Sequence, residues 1–138
     1  MRTLTTTLLI LLISFSVNSA ELNTSNVRIP EAPPVAPVMA GYMTLINDSN
    51  KDITITSINS SLYKSVEIHS MSMKDGMMHM EQLDHFTIPA KGQRLLEPGG
   101  YHLMLIKPQK TLRAGDTIDV IFHYQDKTTQ TFNFKVEK

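Results

Sequence analysis

From Val38 onward, apolar residues recur at about every second position, in short runs separated by turn-forming residues. A period of two marks strands with one buried face, because successive side chains on an extended chain point to opposite sides. Val38–Asn47 (VMAGYMTLIN) is the first run, closed by Asp48-Ser49-Asn50-Lys51-Asp52. Residues 53–58 alternate, with Ile53, Ile55 and Ser57 on one face and Thr54, Thr56 and Ile58 on the other. In 63–69, Val66 and Ile68 fall inward, so Glu67 and His69 fall outward. Lys74-Asp75-Gly76 carries a tight hairpin turn. Segments 82–89 and 93–96 read as two short strands about the turn at 89–92. After Pro98-Gly99-Gly100 comes a strand over 101–106. On it Tyr101, Leu103 and Leu105 share the core face, and His102 and Met104 the opposite one. Ile118, Val120, Phe122 and Tyr124 continue the alternation, and Phe132, Phe134 and Val136 end it. The expected fold class is all-β, a sandwich or barrel in a single domain.

The N-terminal part is different. Met1-Arg2 is a short positive start, 8–17 is almost continuously apolar, and the small residues Ser19 and Ala20 follow. That is the pattern of a secretory signal peptide over 1–20, cut after Ser19 or Ala20, with an apolar run too short to span a bilayer. Residues 21–34 read as a polar, then proline-rich lead-in, extended or at a sheet edge, since Pro30, Pro33 and Pro34 lack the N–H a ladder needs. The β domain occupies 35–138.

Composition narrows the function. Export implies an oxidising compartment, yet the chain has no cysteine, so burial alone must hold the domain together. Zero cysteines also removes redox-active thiols and thiolate-bound metal. Thirteen basic and thirteen acidic residues balance, and loss of Arg2 with the leader leaves twelve against thirteen. Such a surface gives no electrostatic reason to bind nucleic acid or anionic lipid.

The chemistry is concentrated instead in two segments. Five of the nine methionines (Met71, Met73, Met77, Met78 and Met80) lie within ten residues. His69, His79 and His102 sit with them or on the strand of Met104. Neutral thioethers beside imidazoles suit Cu(I), because soft ligands select that ion. His102 and Met104, an i, i+2 pair, reach toward one point. If their strand neighbours the one carrying His69, then His69, Met80, His102 and Met104 converge. Met71 and Met73 are accessory donors. His79 points the other way on an extended strand, and His85 and His123 read as exposed or locally bonded. Met39 and Met43 read as core packing.

The spacing of His69, ten residues, Met80, twenty-one residues, His102, one residue, Met104 resembles the H(M)-X10-M-X21-H-X-M motif of the PCuAC (DUF461) periplasmic copper chaperones. Ala40-Gly41-Tyr42-Met43-Thr44-Leu45, Val66-Glu67-Ile68-His69, Met73-Lys74-Asp75-Gly76 and Pro98 to Leu105 resemble the family as well. The resemblance implies a cupredoxin-like β fold and a solvent-near Cu(I) site made of His69, Met80, His102 and Met104. It also implies a periplasmic location and a transient acceptor, such as the CuA domain of cytochrome c oxidase or a Sco-type protein. Some members carry a Met/His-rich C-terminal extension with a second site, and the sequence here ends at Lys138 without that pattern.

A blue-copper electron-transfer centre needs a cysteine and is excluded. No serine–histidine–carboxylate, paired-carboxylate or phosphate-loop pattern points to an enzyme. The expectation is therefore a monomeric, non-enzymatic Cu(I) carrier, with copper or silver sequestration for tolerance as the alternative.

Overall fold

A computed structural model describes residues 13–14 and 19–138; most of the expected signal peptide lies outside the described residues. Ten strands follow in order: β1 (Asn23–Pro30), β2 (Val38–Asn47), β3 (Ile53–Asn59), β4 (Tyr63–Lys74), β5 (Met77–Leu83), β6 (Phe86–Ile88), β7 (Gly92–Leu96), β8 (His102–Pro108), β9 (Thr117–Tyr124) and β10 (Thr129–Glu137). Seven of them run β4-β8-β2-β1-β10-β9-β3 and close back on β4 through the pair Ile58–Val66, making a barrel. β5, β6 and β7 lengthen its wall as partners of β4, β3 and β2. Closure leaves the seven-stranded ring without a free edge, which suits an all-β fold.

The alternation of the sequence becomes the barrel's inside and outside. Along β10, Phe132, Phe134 and Val136 are buried between exposed polar residues. Phe122, Phe134, Leu45, Leu103, Leu105 and Val120 are 0 % exposed and fill the interior. Inside strand β2, Gly41 allows a close approach: a Cβ there would meet the Leu103 Cβ at 3.2 Å. The buried Asn47 is fully used, donating to the carbonyls of Lys51 and Ile88 and accepting from the Ser49 N–H and hydroxyl. Buried amides tolerate their position only when bonded in this way.

Three expectations need correction. Residues 21–34 are not simply a lead-in, because Asn23–Pro30 is a barrel strand, antiparallel to β2 and parallel to β10. A register shift between Ser25 and Arg28, with Asn26 at φ 55°, inserts an extra residue. Leu22 and Ile29 are therefore both buried although seven positions apart, and no alternation is visible in the sequence. A second shift, between Ile55 and Ser57, turns Ile58 inward and leaves Ser57 exposed, the reverse of strict alternation. Tyr101 precedes β8, is exposed, and packs edge-on against Phe86 with ring centroids 5.0 Å apart.

Tyr63 is 3 % exposed and its hydroxyl donates to Met39 Sδ at 3.3 Å. Burial pushes its pKa up to about 12 from 10.0. The folded protein thus keeps a proton that the unfolded chain loses. Stability contributed by Tyr63 is intact below pH 10 and is lost as pH rises through about 12. The slope is at most about 1.4 kcal/mol per pH unit. Tyr124 acts in the same direction, raised by burial and then by the nearby Asp126 and Glu21. Denaturant midpoints taken up this range are expected to fall less in Tyr63→Phe; an unchanged slope would show that Tyr63 is not responsible.

Candidate metal centre

β4 and β8 are antiparallel neighbours, and their register sets Glu67 opposite Met104 and His69 opposite His102. Val66, Ile68, Leu103 and Leu105 point inward from these strands, so the intervening residues share the outer face. β4 continues past β8 and folds back as β5. The turn is tight: Asp75 and Gly76 have φ of 52° and 73°, both left-handed, as a two-residue I′ hairpin requires. This brings Met80 directly across from Met71.

Met71, Met80, His102 and Met104 line one open cavity of about 280 Å³, with Val38, Met39, Ala40, Tyr42 and Gly99 forming the rest of its wall. That is room for an ion and an incoming side chain. His69 is not on this wall but stands beside it, its ring centroid 5.9 Å from that of His102. Two imidazoles sharing one ion, with metal–nitrogen bonds of about 2 Å, have centroids no more than roughly 6 Å apart. The pair is within that limit.

His102 is 6 % exposed although it points away from the core, because the hairpin and the 99–100 loop cover it. Met104 and Met71 are half-buried, whereas Met80 is exposed. Met73 does not line the cavity, and His79, paired with Ser72, lies on the hairpin's other face. His123 hydrogen-bonds to Asn59. Met39 and Met43 are core residues, although Met39 also reaches the cavity wall.

Hydrogen bonds define which nitrogens are free. His69 Nε2 is 2.7 Å from Glu67 Oε2, and the imidazole, when neutral, must donate to the ionised carboxylate. Its Nδ1 is then the lone-pair nitrogen, and that atom is buried with no hydrogen-bond partner. At His102, Nδ1 is 3.2 Å from the Gly100 carbonyl, an acceptor only, so Nδ1 donates and Nε2 carries the lone pair. Each ring is therefore held in one tautomer by its outer hydrogen bond, as metal-binding imidazoles usually are. An orphaned buried nitrogen is costly unless something takes its lone pair. Among the described residues, no group of three or more His, Asp or Glu side chains is placed to hold a metal. The donor set is two imidazoles with thioethers, which fits a soft monovalent ion.

Glu67 and the Gly100 carbonyl were not identified from the sequence. Glu67 was legible in principle, being two residues from His69 on the same face; the Gly100 contact is a loop geometry with no sequence signal. Glu67→Gln keeps an acceptor for His69 and is expected to leave metal affinity within a few-fold of wild type. Glu67→Leu is expected to lose about 10- to 100-fold, as loss of an outer-shell partner does. Chelator competition separates them, and equal affinities would remove Glu67 from the account.

Comparison with known proteins gives the family and the fold. The family model described as "Putative lipoprotein LpqE-like" matches residues 22–136. The chain belongs to this LpqE-like family, the PCuAC (DUF461) type of domain. Uncharacterized protein RP573 of Rickettsia prowazekii is 35 % identical over 98 residues, covering 70 % of this chain and 54 % of that protein. Putative lipoprotein Lxx21020 of Leifsonia xyli is 30 % identical over 91 residues, 65 % of this chain and 55 % of that one. The chain thus spans about half the length of the curated relatives it matches. Among solved structures, the copper-bound PCuAC domain from PmoF2 superposes with a TM-score of 0.71 at 16 % identity, over 86 % of this chain and 95 % of that one. The Cu(I) form of DR1885 from Deinococcus radiodurans gives 0.68 at 26 % identity, over 88 % and 80 %. The fold is accordingly the cupredoxin-like barrel of these domains.

Proposed function

We propose that this protein binds one Cu(I) ion through His69, Met80, His102 and Met104, with Met71 at hand as a replacement thioether, and delivers it to an acceptor by ligand exchange. The observation that carries the reading is the cross-strand His69–His102 pair. Both rings are oriented by outer hydrogen bonds, and His102, with His69 beside it, lines a cavity walled by four methionines. The copper-bound and Cu(I) forms of structurally similar domains support it.

The chemistry of the donors suits delivery. A thioether has no proton to lose near neutral pH, so it binds and leaves without acid–base chemistry, whereas a thiolate holds Cu(I) tightly and is open to oxidation. Met71 opposite Met80 means one sulfur can replace another while a third group approaches through the open side. The protein is a carrier rather than an enzyme, and copper is its cargo.

The compartment belongs to the same proposal. The signal-like N-terminus and the word lipoprotein in the names of the family and one relative support export, and the periplasm is the compartment proposed. Among the described residues, no helix is long and apolar enough to cross a membrane. The acceptor proposed is the CuA domain of cytochrome c oxidase, directly or with a Sco-type protein. Mixing Cu(I)-loaded protein with the apo-CuA domain and separating the two is expected to move copper to the acceptor. Retention of all the copper would favour sequestration for tolerance instead.

A further inference from the structure

The hairpin carries a second pair of thioethers beyond the cavity. The register of β4 with β5 places Met71 opposite Met80 and, two residues nearer the tip, Met73 opposite Met78. Both pairs lie on the face of His69, because the intervening pairs Ser72–His79 and Lys74–Met77 point the other way. A two-residue turn closes on a hydrogen-bonded pair, here Lys74–Met77, and alternation makes Met73–Met78 and Met71–Met80 non-hydrogen-bonded pairs. In such pairs the side chains stand closest, with Cβ atoms about 4.5–5.5 Å apart. Thioether groups of Met73 and Met78 can therefore meet on one ion.

Packing does not account for these residues. Met73 is 68 % exposed and Met78 62 %, against 45 % for Met80 and a half-buried Met71. Exposure thus falls in steps from the hairpin tip toward the cavity. The two pairs are separated by two residues on each strand, roughly 7 Å. That is within reach of flexible methionine side chains moving from one pair toward the other.

Resting on the Cu(I) reading above, we propose that Met73 and Met78 form an outer, weaker Cu(I) station through which the ion enters and leaves the His/Met centre. Two thioethers bind a soft ion without releasing a proton, and fewer donors hold it less tightly. Copper passes inward when the Met71–Met80 pair takes it up, and outward by the reverse step. No oxidation or reduction is involved. A station on the path lowers the barrier equally in both directions, so it changes rates and leaves the equilibrium of the inner centre as it was.

Two experiments test this. Met-[ε-13C]-labelled His102→Ala/Met104→Ala protein, in which the inner centre is disabled, is titrated with Ag(I) as a stable soft-ion probe. The ε-methyl signals of Met73 and Met78 are expected to shift together and saturate, while that of Met77, on the opposite face, stays in place. No shift, or an equal shift at Met77, overturns the proposal whatever the inner centre does. In the second, Cu(I) loading and release are followed by stopped flow with a chromogenic chelator. Met73→Leu/Met78→Leu, which keeps volume and hydrophobicity, is expected to slow both by about tenfold with their ratio preserved, and Met77→Leu to slow neither. Unchanged rates in the double variant would overturn the relay. Absence of a tight first equivalent in wild type would instead overturn the proposed function, and the Ag(I) titration reads the outer pair independently of that result.

Discussion

Replacing His102 and Met104 together by alanine is expected to lower Cu(I) affinity by more than about 100-fold, beyond the 10- to 100-fold that loss of an outer-shell partner costs. The two lie on one face of β8, and both line the cavity. Their loss leaves His69, Met71 and Met80, with one imidazole in place of two. The barrel should survive the change, since Leu103 and Leu105, on the opposite face of the strand, supply its core contacts. Competition with a Cu(I) chelator reads the affinity, and the thermal unfolding midpoint checks the fold. Equal affinity in a folded variant would mean that β8 contributes no ligand.

The second large effect arises outside the cavity, at a residue that does not line it. Phe122 is fully buried in β9, edge-on to Phe132 with ring centroids 4.8 Å apart. Phe122→Ala removes most of a large side chain from a closed barrel whose walls cannot readily collapse, and is expected to cost about 3–5 kcal/mol. Without disulfides to limit the unfolded chain, that is a large share of the roughly 5–15 kcal/mol a domain of this kind possesses. The urea midpoint should fall with the slope unchanged, and the remaining folded protein should bind Cu(I) as before, because no residue of β9 or β10 lines the cavity. A loss below about 1 kcal/mol would mean that the interior relaxes around the gap.

These two positions also show what the sequence could express. Phe122 lies in a run of strict alternation, and so do Phe134 and Leu103; each is buried as its period requires. The outward placing of His69, His102 and Met104 follows from the same rule, and β4–β8 adjacency brings them together. Alternation fails where the backbone gains a residue. β1 was hidden by the irregularity at Asn26, and Ile58 was assigned to the wrong face by the one at Ser57, since a bulge shifts every later side chain and leaves no mark in the residue types. The burial of His102 was equally out of reach, because its cover comes from the hairpin and the loop before β8 rather than from its own strand. The accessory donors separate in the same way: Met71 lines the cavity and Met73 does not, a difference of one hairpin step that spacing alone does not resolve.

The central claim is that one Cu(I) sits between two imidazoles of fixed tautomer. Adding one equivalent of Cu(I) to 15N-labelled protein, and recording long-range proton–nitrogen spectra of the histidine rings, tests it most directly. The account predicts large shifts at His69 Nδ1 and His102 Nε2 only, with His79, His85 and His123 unmoved and the protons on His69 Nε2 and His102 Nδ1 retained. Coordination through His69 Nε2, or shifts confined to the other histidines, would contradict it.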